Sequence, residues 1–225
     1  MRLNKFIAQA SGASRRGADT LIQEERIKVN GNIANLTTII EPTDTITLDD
    51  KELNISKGYR YVMFNKPPGC ICSRTSQGKT KTIYDLLPKD FINLRSVGRL
   101  DKNSSGLLIL TDDGDFTFKN THPSFGKEKT YSVTLKFPIT DSDIEKLTSG
   151  VMLDDGLSQM DIEKLSDKKI KATLSEGRNR QIRRSIEAID NVVTSLHRTS
   201  FGYLGIGNLR FGEWREFTPE SKDNV

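Results

Sequence analysis

Asp101 stands in a polar loop, Gly98-Arg99-Leu100-Asp101-Lys102-Asn103-Ser104-Ser105, directly ahead of the apolar run Gly106–Thr111. A continuous apolar run of that length reads as a buried strand, so the loop before it is held rigidly. Loops carried on rigid strands are where catalytic groups tend to sit. Arg99 and Lys102 place positive charge beside the carboxylate. An aspartate in such a loop can act as nucleophile or as general base. The same pattern also suits an Asx-turn aspartate at the start of a strand.

A second cluster, Arg178, Arg180, Arg183 and Arg184, surrounds the start of a helix expected over residues 180–189. Cations at a helix N-terminus oppose the macrodipole, so four arginines there point to an anion nearby. Ile182, Ile186 and Ile189 share the buried face of that helix. Arg183, next to Ile182, lies on its edge and can reach inward.

Other chemistries lack their residues. No Walker loop is present, and the glycines of Gly202-Tyr203-Leu204-Gly205-Ile206-Gly207 have the wrong spacing for a dinucleotide turn. Asp112-Asp113-Gly114-Asp115 resembles half a calcium loop without the closing Glu, and reads as a tight turn after a strand. Cys70, Cys72, His122 and His197 are too scattered for zinc, and neither histidine is expected to be catalytic. The cysteines read as packed strand residues. Chemistry without a cofactor is therefore expected, using carboxylate, hydroxyl or phenol groups with Arg or Lys as electrostatic partners.

The elements that must position these groups fall into two segments. Leu3, Phe6, Ile7 and Ala10 predict a helix broken at Ser11-Gly12-Ala13. Ser14 predicts the N-cap of a second helix with Ala18, Leu21 and Ile22 inward. Ile27 and Val29 alternate before Asn30-Gly31, a strong hairpin signal. Further short strands are expected at Ile39-Ile40 and over residues 45–48. Asn54–Gly58 reads as a linker, which divides the chain into domains 1–56 and 57–225. In the second domain strands are expected over 59–64, 106–111, 130–137 and 170–175, with a helix over 141–149. Interspersed strands and helices without βαβ alternation predict an α+β domain on a mixed, mostly antiparallel sheet.

Charge follows the same division. Net charge is +4, and residues 1–30 carry six Lys/Arg against three Asp/Glu, while residues 57–125 carry eleven against six. A polyanionic partner fits that distribution, as does a solvated basic face. No apolar run approaches the roughly 20 residues of a membrane span, and the start of the chain does not read as a secretory signal. The two cysteines suit a reducing cytoplasm.

Four segments, taken in order, resemble the pseudouridine synthases. They are Asn65-Lys66-Pro67-Pro68-Gly69, the Asp101 loop with its strand, Glu128-Lys129-Thr130-Tyr131, and Glu176 through Arg184. Leu196-His197-Arg198 and Gly212-Glu213-Trp214-Arg215 agree as well. The usual central motif has Thr where Ser104 stands, which keeps the hydroxyl. The detailed form resembles the RsuA/RluB/RluF branch, which modifies ribosomal RNA, and the first 53 residues resemble the S4-type RNA-binding module.

The resemblance implies uridine-to-pseudouridine isomerisation with Asp101, Tyr131 and Arg183 as catalytic residues. Asp101 attacks covalently or removes a sugar proton. Tyr131 stacks on the base, and Arg183 pairs with Asp101. Arg99 enters the stack as the target base flips out. Lys66 is grouped with the RNA-binding residues, although it and Pro67 read better as loop supports. Arg178, Arg180 and Arg184 are candidate phosphate contacts, with Arg2, Lys5, Arg15, Arg16, Arg26 and Lys28 in the first domain. Ribosomal RNA, naked or within an assembling subunit, is the expected partner of a monomeric cytoplasmic protein. A non-catalytic RNA-binding assembly factor and a transfer-RNA-modifying enzyme are the alternatives.

Overall fold

The computed structural model describes residues 1–55 and 58–219 and separates into two compact units, Met1–Tyr59 and Arg60–Val225. The division expected between residues 56 and 57 falls on positions outside the described residues.

The first unit opens with α1 (Leu3–Ser11) and α2 (Arg15–Gln23). Gly12 ends α1 at φ 74°, and the Ser14 hydroxyl accepts from the Gly17 amide at 2.9 Å, as its N-cap position requires. Four short strands follow: β1 (Ile27–Val29), β2 (Asn32–Ile33), β3 (Ile46–Leu48) and β4 (Lys51–Glu52), in the antiparallel order β2-β1-β3-β4. Asn30 and Gly31 both take positive φ, 51° and 81°, the backbone of a type I′ hairpin. Leu3, Ile7, Ala18, Ile22, Ile27 and Ile46 form the core. Ile39-Ile40 departs from expectation. It makes only a single bridge, Arg2 to Ile39, and Ile39 is exposed while Ile40 is buried.

The second unit is built on β5 (Tyr61–Lys66), β6 (Arg95–Ser96), β7 (Ser105–Thr111), β8 (Lys129–Leu135), a hairpin of β9 (Val151–Leu153) and β10 (Gly156–Ser158), β11 (Asp161–Ser166), β12 (Lys169–Leu174), β13 (Val193–Phe201), β14 (Leu204–Gly205) and β15 (Trp214–Glu216). The main sheet runs β11-β12-β8-β13-β7-β5-β15, with β6 paired to β7 and β14 to β13 off that path. Among the described residues only the β13–β7 strand pairing is parallel, so the sheet is mixed and mostly antiparallel. Alternation explains its two cores. Val62, Phe64, Leu108 and Leu110 face one side, where Val133, Ile170 and Ile186 join them, while Met63, Leu107 and Ile109 face the other, with Phe201 and Leu204.

The helices are α3 (Gly114–Thr121), α4 (Asp141–Ser149) and α5 (Gln181–Glu187). Thr140 and Asp143 close a reciprocal capping box on α4. Two expectations need correction. Asp113 does not merely turn the chain: its side chain accepts from the Asp115 and Phe116 amides and caps α3. Cys70 and Cys72 lie in the loop after β5 rather than in a strand.

Gly106 sits where β7 meets β13, opposite Arg198, at φ 108°. A Cβ there would lie 2.2 Å from the Arg198 carbonyl oxygen and 2.5 Å from its amide nitrogen. Both strands are buried backbone, so neither can yield. Gly106→Ala is expected to destabilise the protein by about 3–5 kcal/mol, since backbone strain and a steric clash act together. Gly31→Ala, strained but in open space, should cost about 1 kcal/mol. Urea denaturation of the two variants checks the difference.

Candidate active site

The loop bearing Asp101 is fixed from below by two buried cations. Lys66, at the end of β5, is 0 % exposed. Its ammonium donates to the carbonyl oxygens of Ser104 at 2.8 Å, Asp101 at 3.1 Å, Pro67 at 3.1 Å and Lys102 at 3.5 Å. Burial lowers its pKa, and the carbonyl dipoles stand in for the water it has lost. The Gly69 amide donates to Lys102 O at 2.7 Å, and the Ser104 amide to Asp101 O at 3.1 Å. Every carbonyl of the turn except that of Asn103 is thus held by Lys66.

Arg183 supplies that last contact. It is 8 % exposed, and its guanidinium donates to Asn103 O at 3.1 Å, to the Ser104 hydroxyl at 3.4 Å and to Val193 O at 3.2 Å. The expected contact with the Asp101 carboxylate is absent: no ion pair within 4.0 Å joins the two among the described residues. Asp101 acts on Arg183 only through space, against the larger lowering effects of burial and of Arg180. The inward direction read from the helix edge is right, but the partner is the loop backbone.

With its main chain gripped, Asp101 presents a half-buried carboxylate that makes no hydrogen bond or ion pair among the described residues. An Asx-turn would engage that side chain with a local amide, so the structural alternative for Asp101 does not hold. The carboxylate lines a cavity of about 780 Å³ together with Arg99, Lys102, Tyr131, Arg180 and Arg198. Tyr131 is 9 % exposed and projects from β8. Arg99 and Arg180 are exposed.

Five expected RNA contacts, Lys66, Arg178, Arg184, Arg26 and Lys28, are occupied otherwise. Lys66 is beyond the reach of any ligand and belongs to the loop support. Arg178 donates to Asp155 Oδ1 at 2.8 Å and to the carbonyls of Asp155, Gly156 and Leu157, and pairs with Glu176 at 3.2 Å. Arg184 clasps both Asp155 oxygens at 2.9 and 2.7 Å. The anion demanded by the arginine cluster is therefore partly internal: Asp155, in the turn between β9 and β10, answers two of the four. In the first unit, Arg26 clasps Asp49 at 2.9 and 2.6 Å, and Lys28 meets Asp50 at 2.7 Å. Arg2, Arg15 and Arg16 are exposed, Arg15 reaching Asn4 at 3.4 Å, while Lys5 is half-buried.

The sequence does not mark Arg198 as a site residue, although Leu196-His197-Arg198 agrees with the family pattern. Its signal is a charged residue among the buried positions Val193, Leu196 and Phe201, visible only once Val193–Phe201 is recognised as a strand.

Residues 60–188 match the family model for RNA pseudouridylate synthases, and residues 1–46 match the S4 domain. The chain is 36% identical over the full length of both proteins to the ribosomal small subunit pseudouridine synthase A of Escherichia coli (strain K12) and to that of Salmonella typhimurium. It is 34% identical to the ribosomal large subunit pseudouridine synthase B of Pseudomonas aeruginosa, over 99% of this chain and 61% of that protein. A crystal structure of a pseudouridylate synthase superposes with a TM-score of 0.70 at 35% identity, covering 97% of this chain and 96% of the other.

His197 borders this site without entering it. Its Nδ1 lies 2.9 Å from the Ser105 hydroxyl and its ring packs on Phe211. Burial, then Lys169, holds its pKa below the ordinary histidine value. As pH falls through about 6.5, the unfolded chain takes up the proton first. Stability should therefore be lost from that pH down to the folded value and level off below it. Urea titrations between pH 7 and 5 should give a shallower loss for His197→Gln than for wild type. Equal slopes would contradict the burial of a neutral imidazole.

Proposed function

The chain belongs to the RNA pseudouridylate synthase family, and from that premise we propose that it converts one uridine of small-subunit ribosomal RNA to pseudouridine, with Asp101 as the reacting carboxylate. The observation that carries this reading is the combination at Asp101: a turn pinned by Lys66 and Arg183, and a side chain without a partner at the cavity wall. A buried scaffold that leaves one carboxylate unspent is preorganised for a bond that forms only with substrate.

The reaction is an isomerisation. The C1′–N1 bond breaks, the uracil turns, C5 bonds to C1′, and a proton passes from C5 to N1 in net terms. Asp101 either attacks the sugar or takes a proton from it. Tyr131 offers a flat face for the base and a phenol for the closing proton transfer. Arg99, exposed at the rim, is placed to fill the stack left by the flipped base. Arg180, exposed and without a side-chain partner among the described residues, is the member of the third motif best suited to a phosphate. Arg2, Arg15 and Arg16 serve the same purpose in the S4 unit.

Small-subunit RNA is favoured because the relatives matched end to end are named for it, whereas the large-subunit relative extends well beyond the matched length. Among the described residues no helix is long and apolar enough to cross a membrane. A monomer acting on an assembling subunit in the cytoplasm fits this reading.

Asp101→Asn keeps the shape but is neither nucleophile nor base. Turnover should vanish while RNA affinity stays within about threefold, because the phosphate contacts lie elsewhere. Pseudouridine formation and filter binding on the same RNA check this. Activity within about tenfold of wild type would contradict the assignment.

A further inference from the structure

Arg198 lies in β13 opposite Tyr131 of β8 on one side and Gly106 of β7 on the other. Residues opposed in an antiparallel pair project to the same face, so guanidinium and phenol stand side by side where the cavity is walled by the sheet. Arg198 is 2 % exposed. Its Nε donates to Leu107 O at 2.7 Å, and its guanidinium carbon lies 5.1 Å from the Phe201 ring centroid. There its contacts end. Nη2 is buried without an acceptor, and among the described residues no carboxylate pairs with it. Lys129, whose ammonium faces the same Phe201 ring at 5.5 Å, is a second cation, and burial, then Arg198, lowers its pKa against the opposing pull of Glu176. A guanidinium carries five N–H donors, and a buried one left without an acceptor is costly. The protein has thus buried uncompensated positive charge beside the residue expected to face the base.

We infer that Arg198 is a catalytic residue that donates from its Nη groups to a carbonyl oxygen of the flipped uracil and stabilises the base as an anion. This deepens the uridine-isomerase reading and rests on it. When C1′–N1 breaks, the bonding pair leaves with the base, giving a monoanion spread over N1 and the two ring carbonyls. The deficiency at C1′ is met by the Asp101 carboxylate, or relieved by loss of a sugar proton to it. After the ring turns, C5 uses its π pair to bond C1′ as the Asp101–C1′ bond breaks, or as the sugar takes its proton back from Asp101; the carboxylate is regenerated, the C5 proton departs, and N1 regains a proton. No oxidant, reductant or other reactant is needed. The anion exists only between the two bond changes. A fixed cation there accelerates the reaction without tightening the binding of the neutral base.

The test compares Arg198→Met and Arg198→Lys with wild type, on RNA carrying uridine or 5-fluorouridine at the target position. Single-turnover loss of the N-glycoside is followed at saturating enzyme. Fluorine withdraws electron density and makes the base a better leaving anion. Arg198→Met should bind RNA within about threefold of wild type yet cleave the uridine substrate about 10²–10³-fold more slowly, the loss typical of an oxyanion donor. Arg198→Lys should lie between the two. On 5-fluorouridine the Met deficit should shrink at least tenfold, roughly one decade of leaving-group compensation. Equal deficits on both substrates, or uridine cleavage by Arg198→Met within about threefold of wild type, would reduce Arg198 to a packing role. If the Met variant does not fold, the same comparison of deficits decides the matter with Arg198→Lys. Asp101→Asn run alongside separates the failures: activity in that variant would refute the reaction centre itself, whatever Arg198 does.

Discussion

An ammonium group with no water around it must find oxygen, and Lys66 finds it in the backbone of the turn it supports. Four carbonyls converge on its Nζ, three of them from residues 101, 102 and 104. The arrangement works in both directions. The carbonyls compensate the desolvated charge, and the charge orders a short polar turn that a buried strand alone could not fix. Each such charge-assisted hydrogen bond contributes about 1.5–3 kcal/mol relative to an unmade one. Arg183 completes the grip through Asn103 O and the Ser104 hydroxyl. Neither cation touches the Asp101 carboxylate. The structure thus separates holding the backbone from spending the side chain, and leaves the carboxylate unengaged.

Charge placement around the cavity follows the same economy. Arg178 and Arg184 look like phosphate contacts, yet both are bound to Asp155, so they brace the β9–β10 hairpin against the third-motif loop. Arg99, Arg180 and Lys102 line the cavity with exposed side chains, and Arg198 stands buried at its wall. Exposed and buried cations have different work here. Under the proposed function, those at the surface stay available to RNA at little cost, because water solvates them until it arrives. A cation in the wall is expensive throughout and is best explained by charge that develops during the reaction.

Much of this was legible in the sequence because local signals agreed. Ser14 and Asn30-Gly31 each carry their own short-range chemistry, and the structure uses the one as a cap and the other as a turn. Asp101 was legible from its setting between flanking cations and an apolar strand. What remained hidden depends on contacts far apart in the chain. Lys66 reads as one more basic residue until β5 is paired with β7, which places it beneath the turn 35 residues later. Asp155 gives no hint that it will neutralise arginines 23 and 29 residues away. β13 escaped because its polar residues, Thr194, Ser195, His197, Thr199 and Ser200, break the alternation, and its bulges shift the faces. Arg183 was correctly aimed inward, but its preference for carbonyls over the carboxylate is a matter of a few ångströms that no spacing rule resolves.

Chemical rescue reaches the central claim most directly. Lys66→Ala removes the ammonium and leaves a slot lined by the same carbonyls. If the buried charge orders the Asp101 turn, the variant should bind RNA normally but lose about 10²-fold in single-turnover rate, the scale of an ångström-sized misplacement. Propylammonium ions should then restore activity saturably, while sodium chloride at equal ionic strength should not. A folded Lys66→Ala that isomerises uridine within about threefold of the wild-type rate, with no added amine, would contradict the account.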